Sequence, residues 1–196
     1  GGGTSSSQTT VSFVMKELFW ADSTGTVTIY RKADDNSAET LYKTINYTPT
    51  AYETVVSETL TETGKYRIEF TASDWIGHQV ETSQTFTIDR DAPELVLTAK
   101  QNSADSEDVV KNKQSLDVPV YIGVSVTDAF YLSKKVTMTG TYVNAEGTVS
   151  NLTFDGLVQS GNGTAFENIY TEDGTYTINV VTTDAAGNES TASIQF

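Results

Sequence analysis

One sentence of this chain is written twice. Thr171–Ser190 reads TEDGTYTINVVTTDAAGNES, and Thr61–Val80, 110 positions upstream, reads TETGKYRIEFTASDWIGHQV. At that single offset Thr61 pairs with Thr171, Glu62 with Glu172, Gly64 with Gly174 and Tyr66 with Tyr176. Ile68 pairs with Ile178, Asp74 with Asp184, Gly77 with Gly187 and Phe86 with Phe196, all without a gap. Agreement at so many spaced positions marks a tandem repeat of one structural unit, and its period suits whole small domains in series better than a solenoid. The preceding halves agree more loosely: VSFVMKELFWADSTGTVTIY parallels IGVSVTDAFYLSKKVTMTG, with Glu17 opposite Asp128 and Val27 near Val136. Between the copies, TFTIDRDAPELVLTA ends one strand at Ile88, turns through Asp89 to Pro93 and starts another at Leu95. The division is therefore a flexible, polar segment 1–10, a first domain 11–90 and a second domain 91–196. The second carries an insertion, KQNSADSEDVVKNKQSLD, that reads as a long polar loop.

Within the copied stretch Tyr66, Ile68, Phe70 and Ala72 alternate with Lys65, Arg67, Glu69 and Thr71, and Tyr176, Ile178 and Val180 repeat the pattern. Strict alternation predicts a strand with one face buried and one wet, as in an antiparallel sheet. No window sustains an apolar period of 3.6, and β-branched and aromatic residues suit half-buried strands. The chain is read as all-β, with seven or so short strands per unit forming a sandwich. Burying one aliphatic or aromatic side chain is worth ~1.5–3 kcal/mol, so each unit can support its own core. In the E-x-G-x-Y-x-I spacing, Tyr66 and Tyr176 stand where immunoglobulin-type sandwiches carry a corner tyrosine whose hydroxyl bonds back to the chain. Ile68 and Ile178 stand where those domains have a cysteine, and this chain has none.

The stretch GTYTINVVTTDAAGNESTASIQF, with FTIDRDAP closing the first unit, resembles bacterial immunoglobulin-like repeats. The resemblance covers most of Pro93–Phe196 and is fainter in the first unit, where Trp75, Ile76 and His78 replace small residues and Asn. It implies two tandem Ig-like antiparallel β-sandwiches joined end to end by a short linker. It also implies a non-catalytic spacer, stalk or adhesin segment of a bacterial, Gram-positive surface protein, attached to the cell or secreted. Such a segment is a monomer whose partners are neighbouring domains of the same polypeptide. The alternatives are a module that binds a carbohydrate or a host protein, and an accessory region of a secreted glycan-degrading enzyme.

Charge and motifs narrow the chemistry. With 26 acidic and 12 basic residues the net charge is −14, which argues against nucleic acid and against an anionic membrane surface. No apolar run reaches the ~18 residues of a membrane helix. No nucleophile, zinc or phosphate-loop motif is present in the sequence. The glycine-rich QSGNGT at 159–164 reads as a hairpin turn, and His78 as a loop histidine. The expectation is that this is not an enzyme.

Two loop clusters remain. In an immunoglobulin-type sandwich the second-to-third and sixth-to-seventh strand loops share a pole. In the first unit that pole gathers Phe19, Trp20 and Trp75, aromatic residues suited to stacking on a sugar ring, filling a partner's pocket or packing on a preceding domain. In the second unit it gathers Asp128, Asp184 and Asn188, with Asp89 and Asp91 in the linker. Asp74 and Asp184 sit in D-x-x-G loops, where an aspartate caps the turn with its own side chain and the glycine supplies a positive φ. The competing reading is calcium, a hard cation that takes six to eight oxygens at ~2.3–2.6 Å, held by Asp184, Asp128 and Asp89 or Asp91, with Asn188 as a further ligand.

Overall fold

The computed structural model describes residues 4–5, 9–130, 135–154 and 162–196. They are all-β apart from one 3-10 turn, Trp20–Asp22. The chain divides into two compact units, Gly1–Asp91 and Ala92–Phe196.

Unit one contains β1 (Thr4–Ser5), β2 (Thr9–Lys16), β3 (Thr24–Lys32), β4 (Thr40–Tyr47), β5 (Glu53–Leu60), β6 (Gly64–Ser73) and β7 (Gln79–Ile88). They form a sheet of order β1-β7-β6-β3-β4 and a facing pair β2-β5. Every pairing is antiparallel except that of β1 on β7, which sets Thr4 against Thr87 and Ser5 against Ile88. The segment 1–10, expected to be flexible, thus contributes β1 and the first two residues of β2. Without β1, strand β7 would be a sheet edge with unpaired backbone groups, and a short polar segment satisfies such an edge through its main chain alone.

Unit two contains β8 (Glu94–Gln101), β9 (Val120–Thr127), β10 (Lys135–Val143), β11 (Val149–Asn151), β12 (Gly163–Tyr170), β13 (Thr175–Thr183) and β14 (Glu189–Gln195). Its sheets run β11-β10-β13-β14 and β12-β9-β8. The plan is that of unit one: β4-β3-β6-β7 matches β11-β10-β13-β14, and β2-β5 matches β9-β12. The register matches too, but not where the looser half of the sequence repeat set it. Val27 faces Phe70 and Met138 faces Val180, so Met138, rather than Val136, is the counterpart of Val27. A slip of two residues keeps the same face inward, which is why both alignments look equally amphipathic in sequence.

The alternation expected from the repeat is the packing that forms. Tyr66, Ile68, Phe70 and Ala72 are buried in unit one, with Val27, Ile29, Leu60 and Ile88 around them. Phe13 and Tyr47 both stack on Phe70, at 5.3 and 5.6 Å between ring centroids. Tyr176, Ile178 and Val180 are buried in unit two among Ile122, Val124, Val126 and Met138. The insertion between β8 and β9 is not merely polar: Val110 is buried, its N–H donates to the Ala99 carbonyl at 2.9 Å, and Leu116 packs on the same core. Both corner tyrosines bond back four residues, Tyr66 Oη to the Glu62 carbonyl at 2.9 Å and Tyr176 Oη to the Glu172 carbonyl at 3.2 Å.

One core position departs from the template. Ala72 of unit one is Thr182 in unit two, and Thr182 is fully buried with its Oγ1 lacking a hydrogen-bond partner among the described residues. A buried hydroxyl without a partner costs about 1–3 kcal/mol. Thr182→Val, which keeps the shape and removes the hydroxyl, is expected to stabilise unit two by about 1–2 kcal/mol, seen as a higher denaturation midpoint. An unchanged or lower midpoint would mean that the hydroxyl is satisfied in solution.

Candidate functional site

At one end of unit one the register brings three loops together. Thr24 and Gln79 both pair with Ser73, Gly25 pairs with Tyr47, and Lys16 pairs with Glu53. Loops 17–23, 48–52 and 74–78 therefore leave the same end of the sandwich. Phe19 is 67% exposed and Trp75 61%, and Leu18, Tyr52 and Ile76 are exposed beside them in those loops. Trp20 is only half-buried: it opens the 3-10 turn, and its carbonyl accepts the Ser23 N–H at 3.1 Å. The sequence named Phe19, Trp20 and Trp75; Leu18, Tyr52 and Ile76 extend that apolar end, and only the strand register reveals Tyr52.

The loop 74–78 is organised by Asp74. Its Oδ1 accepts the N–H groups of Ile76 and His78 at 3.0 and 2.8 Å, and its Oδ2 lies 2.8 Å from His78 Nδ1. Gly77, at φ +91°, donates to the Asp74 carbonyl at 3.2 Å. Burial acts to raise the Asp74 pKa, but the His78 N–H and imidazole and the Ile76 N–H outweigh it, so the carboxyl lies below its ordinary range.

Asp184 repeats the arrangement. The Asn188 N–H donates to Asp184 Oδ1 at 2.8 Å, and Asn188 Nδ2 donates to Oδ2 at 2.7 Å. Gly187, also at φ +91°, donates to the Asp184 carbonyl at 3.3 Å. A third example went unread in the sequence. In 144–148 the Thr148 N–H donates to Asn144 Oδ1 at 2.8 Å, and Gly147, at φ +81°, donates to the Asn144 carbonyl at 3.0 Å. These turns use Asp and Asn alike, because the backbone needs only an oxygen acceptor at the first position.

Asp128 follows β9 and begins another loop of unit two. Its Oδ1 accepts the Phe130 N–H at 2.7 Å, while Asn162 clamps its main chain, Oδ1 accepting the Asp128 N–H at 2.8 Å and Nδ2 donating to the Asp128 carbonyl at 3.0 Å. Carboxylate oxygens of Asp128 and Asp184 lie within 4.8 Å of each other. Asn162 was legible in sequence only as part of a glycine-rich turn, whose residues 159–161 lie outside the described ones. Tyr131 also lies outside them; Phe130, two residues after Asp128 as Phe19 is two after Glu17, is buried. Asp89 is buried at the close of unit one and accepts the Asp91 N–H on its Oδ1 at 3.3 Å.

No protein-family model matches the chain, and no curated protein matches it. Among solved structures it is similar to a tetra-tandem repeat in the extending region of a large adhesion protein, at 18% identity and a TM-score of 0.42. That match covers 96% of this chain and 49% of the other, so this chain spans about half its length. It is also similar to the C-terminal domain of the AgI/II polypeptide BspA of Streptococcus agalactiae, at 8% identity and a TM-score of 0.36, covering 99% of this chain and 94% of that one.

The three turns yield a graded expectation. Asp184→Ala removes the acceptor of two Asn188 donors, and hydrogen bonds to a charged acceptor are worth about 1.5–3 kcal/mol, so unit two should lose stability of that order. Asp184→Asn keeps an oxygen acceptor, as Asn144 does, and should lose less than half as much by thermal denaturation at neutral pH. Equal losses would show that the charge, rather than the hydrogen bonds, holds the turn. In unit one the folded pKa of Asp74 is depressed, so its contribution is present above the ordinary carboxylate pKa of ~4 and is lost as pH falls through the lower folded value.

Proposed function

We propose that the chain is a pair of immunoglobulin-like repeats serving as a non-catalytic spacer or adhesin segment of a bacterial extracellular surface protein. The observation that carries this reading is the duplication itself. Two consecutive units share the four-strand order β4-β3-β6-β7 and β11-β10-β13-β14, a facing pair, the same corner tyrosine bond and the same Asp-anchored turn, and each has its own core. Repeating a self-sufficient β unit multiplies length without adding chemistry. The resemblance of GTYTINVVTTDAAGNESTASIQF to bacterial immunoglobulin-like repeats supports the same assignment. Among the described residues no helix is long and apolar enough to cross a membrane.

A spacer made of independent modules unfolds one module at a time. Stretching the full chain in a single-molecule force experiment should give two separate steps, releasing about 32 nm of extended chain for unit one and about 37 nm for unit two at ~3.5 Å per residue, less each folded unit's own span. A single step would contradict independent modules. The exposed Phe19 and Trp75 support a second reading, a module that stacks these rings on a glycan or a host protein. Glycan-array binding that is lost in Trp20→Ala and Trp75→Ala would replace the spacer assignment with that one.

We further propose that Asp128 and Asp184 share a calcium ion. Two carboxylates within 4.8 Å repel each other, and a hard cation with oxygen ligands relieves that repulsion. The hydrogen bonds they accept leave this open, since each carboxylate oxygen can take more than one partner. Millimolar calcium, compared with EDTA, should raise the unit-two melting transition by mass action, and Asp184→Ala should abolish the rise. A parent transition indifferent to calcium would leave both aspartates as turn residues alone.

A further inference from the structure

The outer face of the five-stranded sheet in unit one carries a polar groove beside the aromatic loops. Strand register sets two rows of three residues there: Thr24, Ser73 and Gln79, then Thr26, Thr71 and Glu81. These six alternate with Gly25 and Ala72, which are buried, so their side chains belong to the face opposite the core. Together they line a cavity of about 470 Å³, within the ~300–1,000 Å³ of small-molecule sites. The loop 74–78 joins Ser73 to Gln79, so Trp75 stands two residues beyond the end of the groove.

Three of the six side chains are held and three are open. Thr26 Oγ1 donates to Asn46 Oδ1 at 3.1 Å, Thr71 Oγ1 to the Thr26 carbonyl at 3.5 Å, and Ser73 Oγ to the Asp74 carbonyl at 3.3 Å. With their hydrogens committed, these hydroxyls keep acceptor capacity. Thr24, Gln79 and Glu81 are exposed, and their side chains have no hydrogen-bond partner among the described residues. The groove thus offers fixed acceptors in one set and adaptable donors and acceptors in the other. The matching positions of unit two carry Lys135, Thr183 and Glu189, then Thr137, Val181 and Thr191. There a valine replaces Thr71 and a lysine replaces Thr24, so the arrangement belongs to unit one.

We propose that the groove and Trp75 form a binding site for a neutral glycan, one sugar ring stacked on the indole and the next hydrogen-bonded to Gln79, Glu81 and the rows of hydroxyls. Sugar hydroxyls both donate and accept, and a sugar ring has an apolar face for an aromatic platform. The lining holds one carboxylate and no cation among the described residues, on a chain of net charge −14, so an acidic sugar is repelled. The inference rests on the reading in which the exposed rings of unit one bind a ligand. It selects a glycan over a host protein because these side chains are polar throughout, suited to hydroxyls rather than to the apolar anchors of a protein partner.

The test is to probe the full chain on an array of neutral and sialylated glycans, beside Trp75→Ala, Gln79→Ala, Glu81→Ala and Thr71→Val, the last copying unit two. All four positions are exposed, so the melting temperatures should stay unchanged. Neutral glycans should bind and sialylated ones should not. Trp75→Ala should weaken binding about tenfold, and Gln79→Ala and Thr71→Val about two- to tenfold, the worth of one hydrogen bond. Glu81→Ala should cost more, since its acceptor is charged. Binding that falls in Trp75→Ala but is unchanged in the three groove variants would overturn the groove while keeping the aromatic end as a binding surface. A parent chain that binds no neutral glycan would overturn the proposal and leave the exposed rings to a protein partner.

Discussion

Tyr66, Ile68, Phe70 and Ala72 place four inward side chains on one strand, and that strand lies between two hydrogen-bonded neighbours, β3 and β7. Everything else in the unit takes its position from this period of two. It turns Lys65, Arg67 and Glu69 outward, where Arg67 pairs with Glu39 at 2.6 Å and lies over the Tyr30 ring at 4.1 Å. It fixes the register in which Val27 faces Phe70, because any odd slip would exchange the core for the wet face. β13 imposes the same rule on unit two. The corner bond from each tyrosine hydroxyl then pins the chain just before the strand, and the Asp-anchored turn pins it just after.

How much of this was legible in sequence depended on whether the signal was local. Alternation and turn chemistry are properties of neighbouring residues, so β6, β13, the corner tyrosines and the Asp74 and Asp184 turns could be read directly. The turn at Asn144 is hidden from the Asp-x-x-Gly pattern because its loop, NAEGT, opens with asparagine. The counterpart of Val27 was misplaced by two residues because period-two patterns tolerate even slips. Val110 was hidden in a stretch whose polarity says loop, although one valine was enough to anchor it to the core. Asn162 could not be found at all, since its role is to hold the backbone of a residue 34 positions away.

The acidity of the chain resolves into different tasks by position. Glu39 and Asp35 answer cations on the outer face of β6: the half-exposed Arg67–Glu39 pair contributes little by itself, whereas the Asp35 side chain that meets Lys65 is buried. Asp74 and Asp184 are structural acceptors, each using one oxygen for backbone N–H and the other for the side chain four residues on. Asn144 performs the first task without the second, which separates what the backbone requires from what the carboxylate adds.

That separation explains why the aspartate persists in the duplicated stretch while its neighbours drift. The turn needs an oxygen acceptor, and the glycine needs a positive φ; the two residues between them need only tolerate exposure. Ala185 and Ala186 meet that condition, and so do Trp75 and Ile76. The second carboxylate oxygen constrains the fifth position to a residue that can donate to it, and Asn188 and His78 both do so with a nitrogen. The template therefore fixes the turn's ends and leaves its tip open. In unit one that tip carries Trp75 and Ile76 into solvent, so the freedom that lets the sequence drift is the same freedom that creates an apolar surface.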